Sequence, residues 1–289
     1  MAQLRLYITS ALLATLSLSW CLPASNKTQR ARYTGHRLLS VTPKTAAQVT
    51  LLTALEERFQ ADVWQEANDL RPSEILRLRP EVAEEFVSAA SQTGMAVTTL
   101  SNDVQELIDA ELKETRFTTY STEKSHFEKY LKYDEFKSAL KEYAENYDHV
   151  TYTSIGRSYE GRDLIGVHIK AKENLPVVFF ECGIHAREWI APATCLYIID
   201  QLATQYHKDD GIKRLVSKYE WRIHPLVNPD GYEYSHNEER LWRKTRSKSN
   251  TGSECRGTDG NRNFDIGDFC QYTSSRDPCS DMYCGDSPF

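Results

Sequence analysis

The stretch Val177-Val178-Phe179-Phe180-Glu181-Cys182-Gly183-Ile184-His185-Ala186-Arg187-Glu188-Trp189 decides how the chain is read. Its first four residues are continuously apolar, which predicts a short strand buried on both faces. The Cys182-Gly183 step ends the run, and a helix is expected to start near Ala186 and continue past Leu202. Strands of this kind deliver functional residues at their C-terminal ends. Here that end carries His185 and Glu188 across a tight turn, and neutral imidazole with carboxylate oxygen is a donor pair that suits zinc. Spacing alone is weak support, because His236 and Glu239 repeat it. That second pair lies in the polar stretch from Ser235 to Arg240 with no apolar strand leading into it, and it reads as solvated surface.

From about residue 126 the surroundings follow a larger α/β pattern. A helix carries Phe136, Leu140 and Tyr143, and strands are expected over Val150 to Ile155, Leu164 to Ile169 and Trp221 to Val227. Upstream, residues from about 36 to 100 are built differently. Arg37 to Val41 predicts a strand, Thr42-Pro43 a helix start, and Val49, Leu52 and Leu55 one face of that helix. Ala61 to Gln65 and Glu74 to Arg79 predict two more strands. A second helix after Pro80 carries Val82, Phe86, Val87 and Ala90, and Ala96 to Leu100 closes the series. The order β-α-β-β-α-β predicts a small α+β ferredoxin-like sandwich. A further helix with Val104, Leu107, Ile108 and Leu112 ends in Lys113-Glu114-Thr115-Arg116. Beyond it, Phe117 to Ser125 is polar and without periodicity. The domain boundary is placed there, and Arg116 is a candidate cut site for a trypsin-like protease, although a lone linker arginine is also commonly just solvated.

The chain has 289 residues, 35 Lys and Arg against 41 Asp and Glu, and a formal charge of -6, so there is no basic excess with which to neutralise phosphates. A nucleic-acid partner is excluded on that ground. Arg5, the apolar run Leu6 to Trp20 and the small residues Ala24 and Ser25 form a secretory signal peptide, too short and too rich in Ser and Thr for a membrane span. The expected organisation is therefore signal peptide 1–25, propeptide 26–116 and a larger domain over 117–289, in a secreted, extracellular protein. Setting Cys21 aside with the signal peptide leaves Cys182, Cys195, Cys255, Cys270, Cys279 and Cys284, an even count that predicts three disulfides and leaves their connectivity open. The sequon at Asn26-Lys27-Thr28 lies close to the cleavage point. Arg243, Lys244, Arg246 and Lys248 form a basic run which, on its own, reads as a surface face of the kind that takes heparin.

The wider segment from Glu181 to Pro192 resembles the zinc-binding segment of the pancreatic A/B metallocarboxypeptidases. Three further blocks extend the resemblance in order: Asn228-Pro229-Asp230-Gly231-Tyr232, Leu241 to Ser247, and Gly257 to Asp265. It covers the region from about 126 onward, and the upstream sandwich matches that family's activation propeptide in layout. The fold class it implies is α/β, the first half of a mixed-sheet zinc carboxypeptidase catalytic domain behind an α+β propeptide. It implies zinc as the cofactor, His185 and Glu188 as two of three metal ligands, and Arg246 as the cation that steadies the oxyanion. Asn261 and Arg262 are implied to grip the substrate's terminal carboxylate, with Arg187 further along the groove and Arg243 near the same path. A guanidinium fork matches a carboxylate in a bidentate way, which agrees with these roles. The resemblance also implies the pairs Cys182 with Cys195, Cys255 with Cys279 and Cys270 with Cys284, an arrangement most like carboxypeptidase B. Substrates are then the C-termini of peptides or proteins, an activating trypsin-like protease is a partner, and a monomer is expected.

Members of that family take a third zinc ligand, a general base and a mobile tyrosine from segments downstream of the last matching block. No residue here is a candidate for any of the three, and His224 and His236 fall in segments whose family counterparts bind no metal. A fragment with an incomplete, inactive site is therefore expected, with preference between A-type and B-type substrates unreadable. The contrasting expectation is a short, non-catalytic secreted product whose propeptide-like domain binds or inhibits a full-length carboxypeptidase.

Overall fold

The computed structural model describes residues 30–68, 70–117, 126–267, 269–271 and 274–288. The expected signal peptide, the sequon at Asn26 and the connection over 118–125 lie outside these residues. In the smaller part, β1 (Arg37–Thr42), α1 (Ala46–Phe59), β2 (Asp62–Gln65), β3 (Glu74–Leu78), α2 (Pro80–Gln92) and β4 (Ala96–Ser101) follow in the order β-α-β-β-α-β. The strands pair antiparallel in the order β2-β3-β1-β4. Leu39, Val41, Leu76 and Leu78 fall on one face of the pleat and meet Leu52, Phe59, Phe86 and Ala90 from the two helices. The start of α1 differs from expectation. Thr42 remains in β1, and Thr45 is the N-cap, its hydroxyl accepting the Gln48 N–H at 3.2 Å. That shift turns Val49 outward, where it is exposed. By contrast α2 begins at Pro80 as expected, because a first-turn proline forfeits no helical hydrogen bond.

Helix α3 (Val104–Phe117) leaves the sandwich, and its backbone stays helical through Arg116. Val104 and Ile108 pack with Tyr33, Leu38 and Leu241, so this helix joins the smaller part to the larger one. The larger part contains α4 (Tyr133–Asn146), β5 (Val150–Arg157), β6 (Asp163–Ile169), β7 (Val177–Glu181), α5 (Ile190–Thr204), α6 (Asp210–Lys218), β8 (Glu220–His224) and α7 (Pro229–Asn237). Its sheet runs β5-β6-β8-β7 and is mixed: β7 is parallel to β8, and the other pairs are antiparallel. Phe136 and Leu140 of α4 meet Leu196 and Ile199 of α5 across Ile165, Val167, Ile169 and Ile223 of the sheet. Strand β8 ends at His224, three residues short of the expectation, where Pro225 can donate no ladder hydrogen bond.

Two expectations around the deciding stretch are corrected. Helix α5 starts at Ile190 rather than near Ala186, because residues 183–189 form the turn that carries the candidate ligands. Strand β7 is not buried on both faces. It lies at the sheet edge with β8 as its only strand neighbour among the described residues, and Val177, Phe179 and Phe180 are 47%, 55% and 36% exposed. An apolar run states what a strand can bury, and what packs on it decides what it does bury. Disulfides link Cys182 to Cys195, Cys255 to Cys279 and Cys270 to Cys284.

Candidate metal and carboxylate-binding site

The chain leaves β7 through Gly183, whose φ of +70° is a left-handed conformation that a side chain disfavours. A Cβ there would also stand 3.0 Å from the Pro192 ring and 3.1 Å from Leu226. Glycine thus lets the turn close against the start of α5 and direct His185 inward, where it is 7% exposed. The His185 ring is held at both nitrogens: Nδ1 lies 2.9 Å from Glu188 Oε1, and Nε2 lies 3.0 Å from Asp259 Oδ1. Asp259 caps the short 3₁₀ turn Gly260–Arg262 by accepting the Asn261 N–H at 2.9 Å. Its other oxygen accepts from Arg243 Nε and Nη2, each at 2.9 Å. Arg243 Nη1 also comes within 3.9 Å of Glu188.

Burial alone would penalise every charge in this cluster. In Asp259 it is outweighed by the His185 hydrogen bond and the Arg243 guanidinium, which hold the carboxyl at about 2. Burial likewise opposes the imidazolium of His185, yet the hydrogen bonds to Asp259 and Glu188 raise its pKa above the ordinary value. Glu188 is lowered, because contact with His185 overcomes its own desolvation. The 2.9 Å contact between Nδ1 and the Glu188 carboxylate marks the place where a cation would be held. When that cation is a metal, Asp259 accepts from Nε2 and leaves the Nδ1 lone pair for it, which is the carboxylate–histidine–metal arrangement. The imidazole and carboxylate fit zinc in donor type, and among the described residues no group of three such donors converges.

Of the expected substrate-binding arginines, Arg243 is paired with Asp259, while Arg187 and Arg262 are engaged by the smaller part. Arg187 Nη1 and Nη2 each donate to Asp62 Oδ1 at 3.0 Å, and Asp62 also takes Arg77 Nε and Trp64 Nε1 at 2.9 Å. Arg262 Nη2 approaches Glu66 at 3.3 Å. Asn261 sits beside Arg262 with an exposed side chain. A cavity of about 320 Å³ remains beside Glu188, between Trp64, Leu107 and Ile108 on one wall and Arg187, Arg240 and Leu241 on the other.

Arg246 is placed differently from its neighbours. Its guanidinium lies 3.6 Å from the Tyr234 ring centroid and 4.4 Å from that of Trp242, and its Nε has no hydrogen-bond partner. Among the described residues no hydrogen bond or ion pair joins it to His185 or Glu188, and Arg243 is the guanidinium that approaches that pair, 3.9 Å from Glu188. The basic run is not a surface face either, since Arg243 and Lys244 are buried. His236 is not solvated: its ring stacks on Trp189 at 3.8 Å, and Arg240 lies 3.6 Å from the same indole. Asp259, Asp62, Arg240 and Trp189 were not singled out from sequence. Asp259 lay within a quoted block and had a signal there, whereas Asp62 is an ordinary strand residue with none.

Residues 136–289 match the zinc carboxypeptidase family model, and residues 39–111 match the carboxypeptidase activation peptide. Rat carboxypeptidase B is 32% identical over 264 residues, covering 89% of this chain and 62% of that protein. Zinc carboxypeptidase A 1 of Drosophila melanogaster is 33% identical over 274 residues, covering 92% of this chain and 62% of that protein. The crystal structure of carboxypeptidase A from Helicoverpa armigera superposes with a TM-score of 0.79 at 28% identity, over 89% of this chain and 64% of that one. Thrombin activatable fibrinolysis inhibitor does so with a TM-score of 0.72 at 29% identity, over 88% and 65%. The chain thus spans somewhat over three-fifths of the length of these relatives. The two matches, set in this order on two domains that meet at the His185 turn, establish that the chain belongs to the zinc carboxypeptidase family and carries its activation peptide ahead of catalytic-domain sequence.

Proposed function

We propose that the protein is the secreted precursor of a zinc-dependent exopeptidase that removes residues from the free C-termini of peptides and proteins. One observation carries the reading: His185 and Glu188 meet at 2.9 Å, and Arg187, which lines the same cavity as Glu188, and Arg262, at the end of the turn that Asp259 caps, are already engaged by carboxylates of the smaller part. His185 through Nδ1 and Glu188 through its carboxylate hold the zinc, which when bound supplies Lewis-acid polarisation of a water and of the scissile carbonyl. Asp259 fixes the ring and tautomer of His185. Arg243, between Asp259 and Glu188, keeps positive potential at the pair. Arg262, Asn261 and Arg187 receive the substrate's carboxylate, for which a guanidinium is the matching fork. The oxyanion role of Arg246 rests on the resemblance, and its shelf on Tyr234 and Trp242 orients the planar guanidinium.

In the precursor Asp62 and Glu66 occupy the cations that substrate needs, and a trypsin-like cut after Arg116 severs the covalent connection between the activation peptide and the catalytic part. Three disulfides accord with an oxidising, extracellular destination. No helix among the described residues is long and apolar enough to cross a membrane. A catalytic zinc normally takes three protein ligands and a water. With two donors converging among the described residues, the 289-residue chain binds zinc weakly and does not turn over by itself.

Zinc titration of the purified chain tests the metal pair: weak binding that His185→Ala abolishes is expected. Tight stoichiometric zinc contradicts the two-donor site, and equal binding by wild type and His185→Ala removes the site altogether. Peptides test the substrate class. Once the connection is cut and the activation peptide is separated from the catalytic part, a free C-terminal carboxylate should bind at least about tenfold more tightly than its amide, in line with a lost charge-assisted pair. Equal binding rules out an exopeptidase.

A further inference from the structure

Residues 30–33 precede the activation-peptide match, which begins at residue 39, yet they reach the catalytic part and hold it. Arg30 Nη2 donates to the carbonyl of His236 at 2.8 Å and its Nε to that of Asn237 at 3.0 Å. The Ala31 N–H donates to the carbonyl of Glu238 at 2.9 Å, and the Tyr33 hydroxyl to Glu239 Oε1 at 2.9 Å. Helix α7 ends at Asn237, so the first two carbonyls belong to the last turn, which has no further helical N–H to pair with. A guanidinium there also meets the negative end of the helix dipole, and its fork serves two carbonyls at once, which an ammonium cannot do in the same plane.

The seat of this arm is the His236 and Glu239 pair that had read as solvated surface. The His236 ring lies against Trp189, and the Trp189 indole N–H donates to Ser235 Oγ at 2.8 Å. The single proton of Ser235 Oγ faces two carbonyls, Tyr232 at 2.7 Å and Ala186 at 3.1 Å. The arm therefore grips the helix end that braces the turn from His185 to Trp189 from behind. The contacts of Arg30 and Ala31 lie away from the Asp62–Arg187 pair, and Tyr33 connects to it only through Arg77, whose guanidinium lies 5.0 Å from the Tyr33 ring and donates to Asp62.

We propose that Arg30 to Tyr33 form a second latch: the carbonyl end of α7 together with Glu239 is a docking site for a segment presenting a guanidinium and a phenol, and this arm is its occupant. The arm adds to the hold that Asp62, Glu66 and helix α3 already give, so the activation peptide stays bound after the connection over 118–125 is cut. The latch involves neither metal nor substrate, so its failure leaves the peptidase reading untouched, and the reverse also holds.

The test uses the full chain with a specific protease site inserted within 118–125. After cutting, gel filtration should recover the two pieces together. Arg30→Ala should release the activation peptide about tenfold faster, the equivalent of ~1.4 kcal/mol, with Arg30→Lys in between. Arg32→Ala, whose guanidinium approaches Asp109 of the same piece at 3.9 Å, should release at the wild-type rate. Equal release by Arg30→Ala and wild type overturns the latch. Hydrogen exchange on the uncut chain provides a second reading: the Ala31 amide should be protected, and exchange at the rate of an unstructured peptide overturns the proposal regardless of how the variants behave.

Discussion

Asp259 meets His185 at Nε2, and the identity of that partner determines which ring nitrogen remains for a metal. A carboxylate can only accept, so it keeps the proton on Nε2 and the lone pair on Nδ1. An amide of the same size can present its N–H₂ instead, and it leaves the buried Arg243 without its counter-charge. Asp259→Asn should therefore weaken zinc binding by about 10–100-fold, the usual cost of losing such an outer partner. A zinc titration whose midpoint does not move, on protein with unchanged circular dichroism, rejects the role. His185 and Glu188 stood out in the sequence through the apolar run before them and the resemblance of the segment from Glu181 to Pro192, since their spacing recurs at His236 and Glu239. Asp259 lies 74 residues from His185 and presents only as part of an Asp-Gly turn. Arg246 shows the reverse case. Its sequence block named it, but Tyr234 and Trp242 decide where its guanidinium rests, and no local pattern shows two rings closing from other segments.

Among elements, the small sandwich was legible nearly to the residue, since alternation and a first-turn proline are local properties. The burial of β7 was not, because a strand's burial belongs to its neighbours. Packing between elements also brings together a pair that no periodicity reveals: the half-buried carboxyls of Glu56 in α1 and Glu74 in β3 act on each other. Burial, followed by the neighbouring Glu74, pushes Glu56 from 4.5 to about 9, and burial raises Glu74 as well. The sign follows from linkage. An acid raised in the folded state costs nothing below its unfolded value of 4.5, and the cost grows with pH until the folded value near 9 is passed. The activation peptide should be more stable at about pH 5 than at about pH 8. Glu56→Gln keeps a hydrogen-bond donor without the ionisation, so it should flatten this dependence and raise the melting temperature at pH 8. A gain of only 1 kcal/mol corresponds to roughly 4–8 °C in a domain of this size. Parallel melting curves for variant and wild type across that range refute this coupling of Glu56 and Glu74.

For the whole molecule, the arrangement of the two domains turns on one carboxylate that sequence reading passed over. Asp62 lies between Arg187 of the catalytic part and Arg77 of its own sheet, and Asp281 approaches the same Arg187 Nη1 at 3.5 Å. Burial raises the Asp62 pKa, but the two guanidiniums lower it more, and the carboxyl stays ionised well below the usual range. A depressed acid contributes stability that is complete above its unfolded value of 3.8 and is lost as pH falls toward the folded value. Docking of the activation peptide should therefore be insensitive to pH between about 5 and 8 and weaken only in strong acid. Neutralising the group by mutation should do at neutral pH what acid does. Asp62→Asn leaves two buried guanidiniums with half their partnership, and breaking a buried pair costs about 3–5 kcal/mol. Hydrogen exchange in β2 should then rise at pH 7 while β1 and β3 keep their protection, and a peptide with a free C-terminus should compete for Arg187. If exchange in β2 is the same in variant and wild type, the domains are held by the α3 contacts of Val104 and Ile108 and by the arm at α7, and Asp62 only fills a space.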